Sequence, residues 1–112
     1  MNDLLKKKCI PCEAGSVEPF SRAQAEEYLE KVPGWTLDSE AKKISKEYKF
    51  NDFIGSVNFV NRLAEIAEEE GHHPDIYIFY NKVKLELFTH AIGGLSENDF
   101  ILAAKIDAGS KS

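Results

Sequence analysis

The chain has 112 residues, 43% of them hydrophobic and 29% charged, with a formal net charge of −5. That balance fits one globular domain with a single core and excludes extended disorder, collagen-like repeats and coiled-coil rods. It also argues against a nucleic-acid partner, which needs a dense basic face, and no run of about 18 apolar residues exists to span a membrane.

Residues 1–19 read as an N-terminal leader before one domain at 20–108, with 109–112 as a tail. The leader has no apolar stretch of the signal-peptide kind, so the expected compartment is the cytoplasm. Lys6, Lys7 and Lys8 read as a solvated basic run. Cys9 and Cys12 form a C-x-x-C, but a structural zinc site takes four ligands and no second cysteine pair completes one. A redox pair would sit between a strand and a helix N-terminus, whereas this one lies in a Pro- and Gly-containing stretch. Both cysteines are therefore expected as reduced thiols.

Ser21 with Gln24 reads as a capping box, and Ala25, Tyr28, Leu29 and Val32 recur at helical spacing until Pro33 and Gly34, which predicts a helix over 22–32. Trp35 to Leu37 is a short strand, Asp38 to Lys42 a turn, and Ile44, Tyr48 and Phe50 share one face of a second strand. Asn51 or Asp52 caps a helix over 53–70, in which Phe53, Val57, Val60, Ala64 and Ala67 form the apolar stripe and Gly71 the stop. DIYIFY and VKLELFT, joined at Asn81 and Lys82, make a hairpin. Gly93 and Gly94 break the chain. Leu95 and Phe100 then staple a third helix around the Ser96 cap, running to about Ile106. The order α-β-β-α-β-β-α predicts an α+β fold, a four-stranded antiparallel sheet with three helices on one face.

The hairpin gathers all three histidines. With Asn81 and Lys82 as loop residues, Tyr80 faces Val83, and the register continued outward sets His73 opposite His90, with His72 one step away. Directly opposed residues have Cβ atoms about 4.5 to 5.5 Å apart. Pro74 holds His73 extended and suits the first residue of a strand. Histidine exchanges protons near neutrality, so such a cluster suits general acid-base catalysis. The same residues also fit a structural role, with His72 and His73 complementing a helix C-terminus and His90 ending a strand. A metal site would need a carboxylate from Glu68, Asp75 or Asp99. Consecutive residues of an extended segment point to opposite faces, which opposes convergence of His72 and His73 on one ion. By spacing alone Asp99 completes a capping box with Ser96, Glu68 belongs to an acidic helix end, and Trp35 and Phe79 belong to the core.

Taken together, Glu68, His72-His73-Pro74, Tyr80, His90 and Asp99 resemble the signature of the pterin-4a-carbinolamine dehydratases. THAIGGLSENDF, from Thr89 to Phe100, is similar to the family's second block, and Pro33-Gly34-Trp35 extends the match over most of the domain. The resemblance implies the fold read above, a homodimer or homotetramer, and a reaction. Members dehydrate the 4a-hydroxytetrahydropterin left by aromatic amino acid hydroxylases, giving quinonoid dihydropterin for recycling, with no metal or organic cofactor. A pterin substrate and functional coupling to such a hydroxylase are implied with it.

Carried over residue by residue, His72, His73 and His90 are catalytic, while Pro74, Thr89 and the main chain at Ala91 and Ile92 shape the pterin pocket. Glu68 and Asp99 orient imidazoles, and Trp35 is a supporting residue. The chain departs from some relatives at Gly71, where they carry an acidic or other polar side chain. Two other readings stand beside the enzyme: a dimerisation cofactor for a transcription factor, as animal relatives are, and a pterin-pocket protein of molybdenum-cofactor metabolism.

Overall fold

The computed structural model describes residues 3–9 and 18–109, so Cys12 lies outside the described residues. Among them, three helices, α1 (Arg22–Leu29), α2 (Phe53–Glu70) and α3 (Glu97–Gly109), alternate with strands β1 (Thr36–Leu37), β2 (Ile44–Lys49), β3 (Asp75–Phe79) and β4 (Lys82–Leu87). The strands form one antiparallel sheet in the order β1-β2-β4-β3. Val83, Leu85 and Leu87 of β4 point to one face and are fully buried, joining Ile44 of β2, Phe59 and Leu63 of α2, and Phe100, Leu102 and Ile106 of α3 in one core. No helix is long and apolar enough to cross a membrane among the described residues.

The sequence signals at the helix ends act as expected. Ser21 accepts from the Gln24 amide and the Gln24 side chain accepts from the Ser21 amide. Asp52 caps α2 through the Gly55 amide. Gly71 ends α2 in the left-handed region, at φ 67°, where a side chain would be strained.

Four expectations need correction. First, α1 stops at Leu29 rather than continuing to residue 32. A residue before proline resists helical geometry, and here Lys31 and Val32 bond back to Tyr28 and Leu29 as a tightened turn that still buries Val32. Second, the buried face of α2 is Ser56, Phe59, Leu63, Ala67 and Glu70, so of the predicted stripe Ala67 is buried and Val60 packs on the core, while Phe53, 49% exposed, and Ala64 face outward. Apolar residues lie on both stripes of this helix, and the bulk of Phe59 and Leu63 selects the face.

Third, the hairpin turns at Tyr80 and Asn81, so Phe79, not Tyr80, begins the pairing, opposite Lys82. Tyr80 takes φ +51°, and its carbonyl accepts from the Ser56 hydroxyl at 2.9 Å, while the Asn81 carbonyl accepts from the Phe50 amide at 2.7 Å. Alternation is unchanged by this two-residue slip, so hydrophobic pattern could not detect it. Continued outward, the true register sets His73 opposite Phe88 instead of His90.

Fourth, Phe79 lies outside the core, 55% exposed on the edge strand β3. In the leader Lys6, Lys7 and Lys8 are exposed, as a solvated run is, although the segment around them is fastened. Asp3–Lys6 form a short 3-10 turn, Leu4 is fully buried in the core, and Lys7 pairs with Glu97 at 2.7 Å.

Candidate active site

Two breaks in regular structure build the site. After Gly71, the His72 amide still bonds back to the Ala67 carbonyl, and the chain then runs extended through Pro74 into β3. At the end of β4, Thr89 and Gly94 bridge each other, with the Thr89 amide donating to the Gly94 carbonyl at 2.8 Å. They enclose a 3-10 turn, His90–Ile92, closed by Gly93 at φ 66°. Gly94 is a matter of space: a Cβ there would lie 2.7 Å from that of Pro19.

The extended backbone sends the two adjacent imidazoles apart. His72 turns inward, its side chain 13% exposed, and Nε2 lies 2.6 Å from Asp99 Oδ1. His73 turns outward and meets Glu68, with side chains 58% and 78% exposed. Screening by water leaves that outer pair weak.

Asp99 is fully buried in the first turn of α3, where the helix dipole favours negative charge. Its Oδ2 accepts from the Ser96 amide and from the Thr89 hydroxyl, both at 2.9 Å. Since the Thr89 proton goes to the carboxylate, the Ser96 hydroxyl donates to Thr89 Oγ1 across 2.9 Å. With Oδ1 on His72, this buried carboxylate is fully engaged. It supplies half of the capping box that spacing predicts, accepting from the Ser96 amide while the Ser96 hydroxyl goes to Thr89 rather than to the Asp99 amide, and it is also the partner of a histidine.

His90 differs from both. Its ring packs at 4.2 Å, centroid to centroid, on Phe88. Its nitrogens have no hydrogen-bond partner among the described residues, and the residue is exposed. Chemically the arrangement offers one imidazole fixed by a buried carboxylate and one that is unencumbered.

A cleft of about 420 Å³ joins them, a volume in the range of small-molecule sites. His72, His73, Pro74, Thr89, His90 and Ala91 line it as expected. Ile92 does not, and Glu68 and Asp99 stand behind their histidines. Trp35 is elsewhere: its indole N–H donates to Asp107 at 2.9 Å, at the far end of α3, and its ring meets Tyr48 edge-on. Lys46 and Tyr48 share the same carboxylate, which ties that helix end to β2. Among the described residues no group of three or more His, Cys, Asp or Glu is placed to hold a metal.

Sequence reasoning missed Cys9, Phe88 and Asn98 in the cleft wall. The alternation of β4 carried one step past Leu87 signals Phe88. Nothing local signals Cys9, which is distant in sequence. The Cys9 amide donates to Glu70 Oε1 at 3.0 Å, and Lys105 meets Glu70 Oε2 at 2.7 Å. Burial and the Glu70 carboxylate push the Cys9 thiol up to about 12. Burial opposes the Glu70 charge, yet Lys105 and the Cys9 amide outweigh it and hold its carboxyl below the usual range.

Comparison with known proteins shows the family. The family profile described as "Pterin 4 alpha carbinolamine dehydratase" matches residues 18–109. A "Putative pterin-4-alpha-carbinolamine dehydratase" of Halorhodospira halophila is 51% identical, over 94% of this chain and 95% of that one. The "Pterin-4-alpha-carbinolamine dehydratase 2, mitochondrial" of Arabidopsis thaliana is 47% identical over 94% of this chain, which spans 58% of that longer protein. Both alignments reach beyond the family match into the leader. Among solved structures, the "transcriptional coactivator/pterin dehydratase from Brucella Melitensis" superposes with a TM-score of 0.77 at 30% identity, covering 83% of this chain and 99% of that one. A "pterin dehydratase-like protein", described as "a RuBisCO assembly factor in the alpha-carboxysome", gives 0.60 at 25% identity, over 70% and 92%. On the family match and these identities, the chain belongs to the pterin-4a-carbinolamine dehydratase family.

Proposed function

We propose that the chain dehydrates 4a-hydroxytetrahydropterin to quinonoid dihydropterin, supporting recycling of the tetrahydropterin used by an aromatic amino acid hydroxylase. The observation that carries this reading is the pairing of a carboxylate-held His72 with an unencumbered His90 beside one cleft.

Loss of water from ring carbon 4a breaks one C–O bond. The departing hydroxyl takes a proton, a ring nitrogen gives one up, and the nitrogen's electron pair forms the new C=N bond, with no net oxidation. Donation of Nε2–H to Asp99 leaves the lone pair of a neutral His72 on Nδ1, and the buried carboxylate stabilises the imidazolium that forms when it accepts the proton. His90, protonated from solvent, delivers a proton to the hydroxyl. His73, Pro74, Thr89 and the main chain at Ala91 position the ring, with Glu68 orienting His73. Proton transfers alone are required of these residues.

The test is to generate the carbinolamine with a phenylalanine hydroxylase and follow its decay. Acceleration by this protein supports the reading, and an unchanged decay rate refutes it.

A second copy of the chain is the proposed partner. β3 is an edge strand, and Ile76, Tyr77, Ile78, Phe79 and Tyr80 are 38%, 43%, 41%, 55% and 67% exposed in succession. An open, apolar edge is a template for antiparallel pairing with its own copy. Light scattering reads the outcome: a dimer or tetramer for the parent chain and a smaller species for Ile78→Lys. A monomeric parent would refute it.

A further inference from the structure

The cleft has a wall that the family match does not include. Residues 3–9 precede the match, which begins at residue 18, yet they are fastened at three points. Leu4 is buried in the core, Lys7 pairs with Glu97, and the Cys9 amide sits on Glu70, itself held by Lys105. The Cys9 thiol then donates to the Asn98 carbonyl at 3.5 Å. Asn98 directly precedes Asp99, so the strap is tied to the helical turn that holds His72. A strap kept only for stability has no need to reach the cleft, but Cys9 lines it together with His72, Thr89 and His90.

We propose that Cys9 is a specificity-determining residue of this cleft, the end of a fixed strap against which the planar pterin ring packs. The proposal rests on the dehydratase reading and adds a residue to it. Burial and Glu70 keep the thiol neutral near physiological pH, so Cys9 presents a small, soft, uncharged surface suited to a flat heteroaromatic ring. Its role is contact and shape, with no covalent step.

The experiment uses the full chain with Cys12→Ser, which leaves Cys9 as the sole thiol. Alkylation by N-ethylmaleimide is timed with and without dihydrobiopterin, whose binding is measured separately by fluorescence. At about ten times Kd, alkylation should slow roughly elevenfold, the factor set by occupancy. In a second arm, Cys9→Leu adds bulk to the wall and should raise KM about tenfold or more with kcat little changed. An unchanged alkylation rate while pterin is measurably bound overturns the proposal and leaves the dehydratase reading intact, as does an unchanged KM in a folded Cys9→Leu chain. Should the leucine variant fail to fold, the alkylation arm decides. Absence of both pterin binding and dehydration by the parent chain would instead remove the reading beneath it.

Discussion

His72 and Asp99 are joined across 2.6 Å, one just past the end of α2 and the other in the first turn of α3. Asp99 also holds the amide of the residue that opens its own helix and the hydroxyl of Thr89, which precedes His90. One buried carboxylate therefore fixes a histidine, a helix start and the entry to the turn carrying the second histidine.

Asp99→Asn tests that arrangement. The amide retains the shape but cannot accept all three bonds, and presenting its NH₂ to His72 would reverse the imidazole tautomer. The dehydration rate is expected to fall by roughly 10² or more. The buried groups left unpaired should cost about 1 to 3 kcal/mol in urea unfolding. A near-parental rate in a folded variant would remove Asp99 from the mechanism.

Gly94→Ala should strain the junction between residue 19 and the turn bearing His90. The added methyl would approach the Pro19 Cβ to 2.7 Å, so either residue 19 or the turn must move. Overpacking of this kind is expected to cost about 1 to 3 kcal/mol, read as a lower urea midpoint at constant slope.

Glu70 gives a pH dependence. Its folded carboxyl is held below the ordinary value despite burial, by Lys105 and the Cys9 amide. A depressed carboxylate contributes stability that is complete above its unfolded pKa, about 4.3, and is lost as pH falls through the lower folded value. Thermal melts from neutrality down to about pH 3 should therefore show the parent losing more Tm than Glu70→Gln. Parallel losses would mean the charge contributes nothing.

These relationships differ in how far the sequence reveals them. Caps at Ser21 and Asp52 and the stop at Gly71 are local chemistry, complete within a few residues, and were readable. The hairpin register was not, because moving the turn from Asn81 and Lys82 to Tyr80 and Asn81 preserves which faces are apolar. It is settled instead by tertiary bonds from Ser56 and Phe50 to the turn carbonyls. That error misplaced the partner of His73, while the grouping of the histidines in one cleft survived, since His90 reaches it through the turn at Thr89–Gly94. Cys9 was beyond reach for a different reason: its place depends on Leu4 entering a core built from residues far along the chain.

The most direct measurement of the central claim compares carbinolamine dehydration by the parent chain with that by His72→Ala and by His90→Ala, each checked for folding by its thermal melt. Two histidines acting as acid and base predict that either loss lowers kcat by roughly 10² or more. If His90→Ala, folded as the parent is, stayed within about twofold of the parental rate, the two-imidazole account would be contradicted.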